Sequence, residues 1–85
     1  MLLKNVLEIK KLVTKFNGIR NERNYEPLRF DASMFSVGEW AMDISIPAEG
    51  CLFSRECSEL FPLLSQLDCS FFIGTSLGYA KIYIQ

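Results

Sequence analysis

Residues 39–46 have the sequence EWAMDISI, in which large apolar side chains alternate with polar or small ones. A period of two places successive side chains on opposite faces of a β-strand, so that one face can be buried while the other meets solvent. The inward-facing set is Trp40, Met42, Ile44 and Ile46. The pattern predicts a strand at residues 37–46, ended by Pro47, in the middle of a half-buried sheet.

Three further segments complete the predicted sheet. Residues 28–30 are consistent with a short strand, and residues 31–38 are predicted to join it to the strand at 37–46. Residues 69–75 and 79–85 are rich in β-branched and aromatic residues. They flank Ser76-Leu77-Gly78, a turn-forming sequence, and are therefore predicted to form a β-hairpin.

Two amphipathic helices are predicted on either side of the first strand pair. Apolar residues at 2, 6, 9, 13 and 16 recur at intervals of four and three, which places them on one face of a helix over residues 2–16. Asn17-Gly18 is predicted to end this helix, since Gly adopts the left-handed conformation of a C-terminal cap. The second helix is predicted at residues 54–67, with Ser54 as its N-cap. Pro62 predicts either a kink or a regular part that starts near Ser58.

The element order is therefore α-β-β-α-β-β, which predicts a single α+β domain over residues 1–85. The economical arrangement is a mostly antiparallel four-stranded sheet with both helices packed on one face. The predicted core consists of Val6, Ile9, Val13, Trp40, Met42, Ile44, Leu60, Leu64, Ile82 and Ile84. The opposite face would carry Arg29, Glu39, Asp43, Tyr79, Lys81 and Tyr83.

The residue inventory argues against an enzyme. The chain has no histidine and three cysteines, at positions 51, 57 and 69. This composition excludes Ser-His and Cys-His relays and the common zinc motifs, and no phosphate-binding glycine loop is present. We therefore predict no catalytic residue, no metal site and no cofactor. Cys57 is the best-placed alternative, because a position in the first turns of a helix favours a thiolate.

Composition and the N-terminal sequence predict a cytoplasmic protein. The apolar runs are only a few residues long, whereas about 20 are needed to span a bilayer. Residues 1–4 lack the apolar region and the cleavage site of a signal peptide. An odd number of cysteines favours reduced thiols over a disulfide framework.

Charge is distributed unevenly along the chain. Residues 1–30 contain seven Lys or Arg and three Glu, a balance of +4. Residues 31–85 contain two Lys or Arg and seven Asp or Glu, a balance of −5, so that the net charge is −1. The basic third suggests an alternative function, nucleic-acid or anion binding through Lys11, Lys15, Arg20 and Arg23.

The leading hypothesis is a non-enzymatic protein–protein interaction module, acting as an adaptor, an inhibitor or a subunit of a larger assembly. Hot spots of interfaces are rich in large aromatic side chains. Met34 and Phe35 are predicted to lie exposed in the connection between two strands, and the alternative is that this loop folds back over the core and buries both. Tyr79, Lys81 and Tyr83 are predicted to lie on the solvent face of the last strand. That C-terminal strand is predicted to be a sheet edge open to pairing. The predicted partner is an unidentified protein or a second copy of the chain, with no membrane involved.

Overall fold

The computed structural model describes residues 1–48 and 52–85. Its elements are α1 (Leu3–Glu22), β1 (Arg29–Ser36), β2 (Glu39–Pro47), α2 (Leu52–Gln66), β3 (Phe71–Ser76) and β4 (Tyr79–Ile84). The strands form one antiparallel sheet in the order β1-β2-β4-β3. The predicted α+β fold and its element order are confirmed.

The core lies between the two helices and one face of the sheet. Nine of the ten predicted core residues are buried, and the tenth, Trp40, is partly buried against the same cluster. The alternation on which the prediction of β2 rested is therefore confirmed. Phe16, Leu28, Ile46 and Leu52 are additional buried apolar residues.

The prediction that residues 31–38 form a connection is wrong for residues 31–36. Residues up to Ser36 belong to β1, and Val37-Gly38 alone forms the turn into β2. Gly38 has a φ of 77°, which glycine adopts without steric cost. The same geometry recurs at Leu77-Gly78, where Gly78 has a φ of 75° and the predicted hairpin turn is confirmed. Each hairpin thus closes around an exposed apolar residue followed by glycine.

The C-terminal strand is not an edge of the sheet, as the sequence had suggested. β4 pairs with β2 on one side and with β3 on the other, so that β1 and β3 are the edges. Met1 extends the pairing of β2, because its backbone exchanges two hydrogen bonds of 2.9 Å with Trp40. The sheet edges with unpaired backbone groups are therefore those of β1 and β3.

Helix α1 continues past Asn17-Gly18 to Glu22, so the predicted end of this helix is wrong. The Asn17 side chain bonds the returning chain instead of ending the helix: it donates to the carbonyl of Leu28 and accepts from its N–H. The chain leaves the helix at Asn24, which adopts the left-handed conformation with a φ of 58°. The additional turn brings Arg20 into the interior.

Gly18→Ala is expected to raise the free energy of unfolding by roughly 1 kcal/mol. Gly18 has helical backbone, is exposed, and a Cβ added there would meet no heavy atom within 4 Å. The matched control is Gly38→Ala, which places a Cβ at a φ of 77° and is expected to destabilise. Urea and thermal unfolding of the two variants check this prediction. A less stable Gly18→Ala would contradict it.

Helix α2 begins at Leu52, so Ser54 lies within the helix and is not its N-cap. Pro62 is inside the helix, where it removes the hydrogen bond to the carbonyl of Ser58. Both Pro62 and the helix face that it occupies point to solvent, and water can replace the missing donor. Ala48-Glu49-Gly50 is predicted from the sequence to form the turn after β2, but residues 49–50 lie outside the described residues, as does Cys51. Neither helix of the described ranges combines the length and apolar character needed to cross a membrane.

Candidate interaction surface

The sheet face opposite the helices is formed by alternate residues of all four strands, and we call it the open face. The register places its side chains in rows that cross the strands, and two neighbouring rows lie at the centre of the face, between the row of Ser33 and Ala41 and the row of Pro47, Tyr79 and Ser76. The row that we call the basic row consists of Arg29, Ser45, Lys81 and Gly74. The row that we call the acidic row consists of Asp31, Asp43, Tyr83 and Phe72.

An aromatic pair lies at the β3 end of the open face. The rings of Phe72 and Tyr83 stack with centroids 4.8 Å apart. A Cβ at Gly74 would stand 3.5 Å from Cε2 of Tyr83, an ordinary van der Waals distance, so the tyrosine ring lies across β3 at this glycine. Phe72 is nevertheless 64% exposed, which is unusual for a phenylalanine in a strand. The pair therefore presents aromatic surface to solvent.

Two carboxylates face each other at the β1 end of the acidic row. Asp31 lies directly opposite Asp43 on the neighbouring strand, and both are exposed. Neither forms an ion pair with another residue of the described ranges 1–48 and 52–85. Like charges at directly opposed positions destabilise an antiparallel pair. A shallow cavity of about 180 Å³ is lined by both carboxylates and by Phe72 and Tyr83.

The basic row supplies the complementary charge next to the acidic one. Arg29 is well exposed and lies 3.6 Å from a carboxylate oxygen of Glu26. Lys81 lies two strands away, in the middle of the sheet. Tyr79, one step further along β4, donates its hydroxyl hydrogen bond to Glu26. Of the three predicted binding residues on β4, Lys81 and Tyr83 therefore lie within the two rows, whereas Tyr79 is bound to the loop that precedes β1.

Met34 and Phe35 lie on β1 and not in a loop. Met34 is paired with Trp40 and shares the helix side of the sheet, yet it is 56% exposed because β1 is an edge. Phe35 sits at a register irregularity between Met34 and Ser36 and is 61% exposed. It lines a separate surface depression near Met1 at the end of the sheet. The two residues are exposed as predicted, but the structure does not bring them onto the open face.

The four basic residues of the alternative hypothesis do not form a continuous surface. Lys11 is paired with Glu8 at 3.1 Å, and Lys15 with Glu59 at 2.8 Å. Arg20 is fully buried and cannot reach a phosphate. Arg23 follows the last residue of α1 and already has interactions within the chain.

The buried position of Arg20 is explained by a partner that sequence reasoning did not identify. Its guanidinium donates two hydrogen bonds of 2.5 Å to the carboxylate of Glu56, which is 1% exposed. It also donates to the backbone carbonyls of Glu26 and Pro47. This cluster joins α1, α2, the end of β2 and the loop before β1, and it is a structural element and not a binding site.

The described thiols and carboxylates form no reactive constellation. Burial raises the pKa of Cys57, and the negative charge of Glu56 raises it further, so a thiolate is disfavoured where the sequence had placed the best candidate. Burial also raises the pKa of Cys69. Glu59 is partly exposed, and its hydrogen bond from Lys15 lowers its pKa. No three His, Cys, Asp or Glu side chains of residues 1–48 and 52–85 meet in a way that could hold a metal ion.

Comparisons with protein-family models, curated proteins and solved structures found no match to this chain.

Proposed function

We propose that the chain is a non-enzymatic protein–protein interaction module, an adaptor, inhibitor or subunit, that binds its partner through the open face. The observation that carries this proposal is the combination of a stacked, exposed aromatic pair with two rows of opposite charge on one uncovered sheet face. Interfaces are typically centred on aromatic side chains and oriented by charge complementarity. Met34 and Phe35 supply a second apolar contact on the flank of β1.

Nucleic-acid binding through the basic N-terminal third has less support. Phosphate contacts require several cationic side chains that are free to reach one strand of nucleic acid. Arg20 is buried, and Lys11 and Lys15 are engaged by carboxylates of the same chain. The pairing of these cations with the chain's own acidic groups is the arrangement expected of a solvated helix face.

We expect the double variant F72S/K81E to reduce the capture of partner proteins at least tenfold, a change equivalent to about 1.4 kcal/mol. The double change removes the exposed ring and reverses the central cation, while Tyr83 stays packed on Gly74. The measurement is affinity capture from a lysate of the native host on the immobilised chain. The retained proteins are quantified by mass spectrometry, and the untagged chain is counted among them.

The control is Leu77→Ser, which removes an apolar side chain that is 96% exposed at the β3–β4 turn, away from the open face. Capture should survive nuclease treatment and should be unchanged by this control, and both variants should melt within a few degrees of the wild type. Equal capture by wild type and face variant would refute the assignment to this face. RNA or DNA that co-purifies, with proteins lost after nuclease, would favour the nucleic-acid alternative.

A further inference from the structure

We propose that the partner of the open face is a second copy of this chain, bound face to face about a two-fold axis. This inference rests on the proposed function, since it names the occupant of the same surface. The open face is an unpartnered sheet face, and its two rows of opposite charge are what identify the occupant.

The two rows make the open face complementary to itself. The basic row carries two positive charges, on Arg29 and Lys81, of which Arg29 also forms an exposed ion pair with Glu26 at 3.6 Å, and the acidic row carries two negative charges, on Asp31 and Asp43. The rows are neighbours along the strands, about 7 Å apart, because side chains of one face recur every second residue. Consider a two-fold axis in the plane between the two faces, parallel to the rows and midway between them. Rotation about this axis exchanges the basic row and the acidic row. Each basic row then faces the acidic row of the other copy.

This operation preserves the position of each strand along the rows, so β1 faces β1 and β4 faces β4. Arg29 is placed opposite Asp31 of the second copy, and Lys81 opposite Tyr83 of the second copy, within reach of that copy's Asp43 as well. The strands of two aligned, face-to-face sheets cross at about 30°. Long side chains such as these can still meet across that angle. Every contact occurs twice, as an isologous interface requires.

The second copy also resolves two unfavourable features of the isolated chain. Within the described residues, the opposed carboxylates of Asp31 and Asp43 form no ion pair. The second copy places its cations next to them. The exposed face of Phe72 is covered, and the two stacked pairs meet over Gly74, the position of the basic row without a side chain. A lysine facing a tyrosine ring adds a cation–π contact.

The helix side of the molecule offers no comparable arrangement. Its exposed apolar surface around Leu7 is bordered by Lys10 and Lys11, and two copies that met there would bring these cations together. The size of the open face limits the affinity. Four strands and six residues span roughly 20 × 20 Å, or about 800 Å² over the two copies, which is below the roughly 1,200 Å² of stable interfaces and in the range of weak complexes. We therefore expect a dimer that dissociates in the micromolar range.

The experiment uses two charge reversals in the purified 85-residue chain, measured by sedimentation velocity from about 1 µM to about 1 mM, a range that brackets the expected affinity. Arg29→Asp makes all charges of β1 on the open face acidic, and Asp31→Arg makes them basic. Each variant alone should dimerise at least tenfold more weakly than the wild type. An equimolar mixture should form a heterodimer, because the acidic β1 of one variant then faces the basic β1 of the other at both positions. Recovery in the mixture also shows that both variants are folded.

The double variant R29D/D31R exchanges the two charges within one chain and should recover the homodimer. A wild type that remains monomeric over the whole range overturns this inference, while capture of another protein by the open face would still uphold the proposed function. A wild-type dimer that neither reversal weakens also overturns it, because the interface then lies elsewhere. Reversals that weaken the dimer without recovery in the mixture refute the two-fold pairing of the rows.

Discussion

Arg20→Met is expected to lower the free energy of unfolding by about 3–5 kcal/mol, the range found when one partner of a buried ion pair is removed. Arg20 and Glu56 are both almost completely inaccessible, and each satisfies the other through two hydrogen bonds. Without the guanidinium, the Glu56 carboxylate stays buried with its charge uncompensated, and the carbonyls of Glu26 and Pro47 lose a donor. Stability from urea unfolding is the measurement.

The double variant R20M/E56M is expected to be much more stable than either single variant. Two methionines have similar volume to the pair they replace and carry no charge, and such replacements are often neutral or stabilising. The coupling free energy from the cycle of wild type, R20M, E56M and the double variant should exceed about 2 kcal/mol. Additive effects of the two single changes would contradict the assignment of a buried, mutually dependent pair.

The chain contains its own control for this prediction. Lys15 and Glu59 also form an ion pair between α1 and α2, with a distance of 2.8 Å, but both side chains reach solvent. Lys15→Met is expected to change stability by less than about 1 kcal/mol, as for exposed pairs in general. A loss as large as that of Arg20→Met would show that burial does not set the difference between the two pairs.

Local periodicity was sufficient to predict both helices and the strands β2, β3 and β4, but not most of β1. The alternation in β2 and the three-to-four spacing in α1 each encode the face that is buried, and the structure confirms both. The pairing of β2 with β4 could not be predicted in this way, because two alternating strands can be neighbours in several orders with the same faces buried. The prediction of an edge position for β4 was wrong for this reason.

Element ends were less predictable because they depend on contacts that are distant in sequence. Gly18 has the local signature of a helix end, yet the helix continues because its next turn places Arg20 against Glu56, 36 residues later. The loss of about 1 kcal/mol for a glycine inside a helix is small compared with the loss expected when that pair is broken. Tertiary contacts therefore determine where α1 ends, at Glu22, although the local sequence predicts an end at Asn17-Gly18.

A signal for the buried pair was nevertheless present in the sequence. Arg20 follows Phe16 by four residues and so continues the buried stripe of α1, and Glu56 lies midway between the buried residues Leu52 and Leu60 in α2. Residues of opposite charge on the buried stripes of two helices are candidates for mutual pairing. The charge of Arg20 alone predicts an anion-binding role, but the side chain is buried.

The open face could be predicted in composition but not in arrangement. Alternation placed Lys81, Tyr83 and Asp43 on one side of the sheet, and the register confirms that they share it. Asp31 and Phe72 were not expected there, because the sequence predicts a connection at residues 31–38 and assigns no faces to β3. The two rows of opposite charge depend on the alignment of four strands, which no single segment encodes.

Ile44→Ala is expected to lower the free energy of unfolding by about 2–5 kcal/mol through the loss of buried surface and the cavity that remains. Ile44 is 1% exposed, and β2 has a neighbouring strand on both sides, so that Phe30 and Ile82 flank it in the sheet. Backbone hydrogen bonds on two sides hold the strand in place, and the surrounding side chains have little freedom to close the cavity. Such a loss is a large part of the roughly 5–15 kcal/mol typical of a native protein.

Ser45→Ala is the control for this prediction, since it shortens the next residue of the same strand on the open face. Ser45 is half-buried between Arg29 and Lys81 on the neighbouring strands, and its truncation is expected to change stability by less than about 0.5 kcal/mol. Urea unfolding followed by the fluorescence of Trp40 measures both variants in one experiment. Because a shift of β2 by one residue would exchange its two faces, equal losses for Ile44→Ala and Ser45→Ala would refute the register on which both the core and the open face depend.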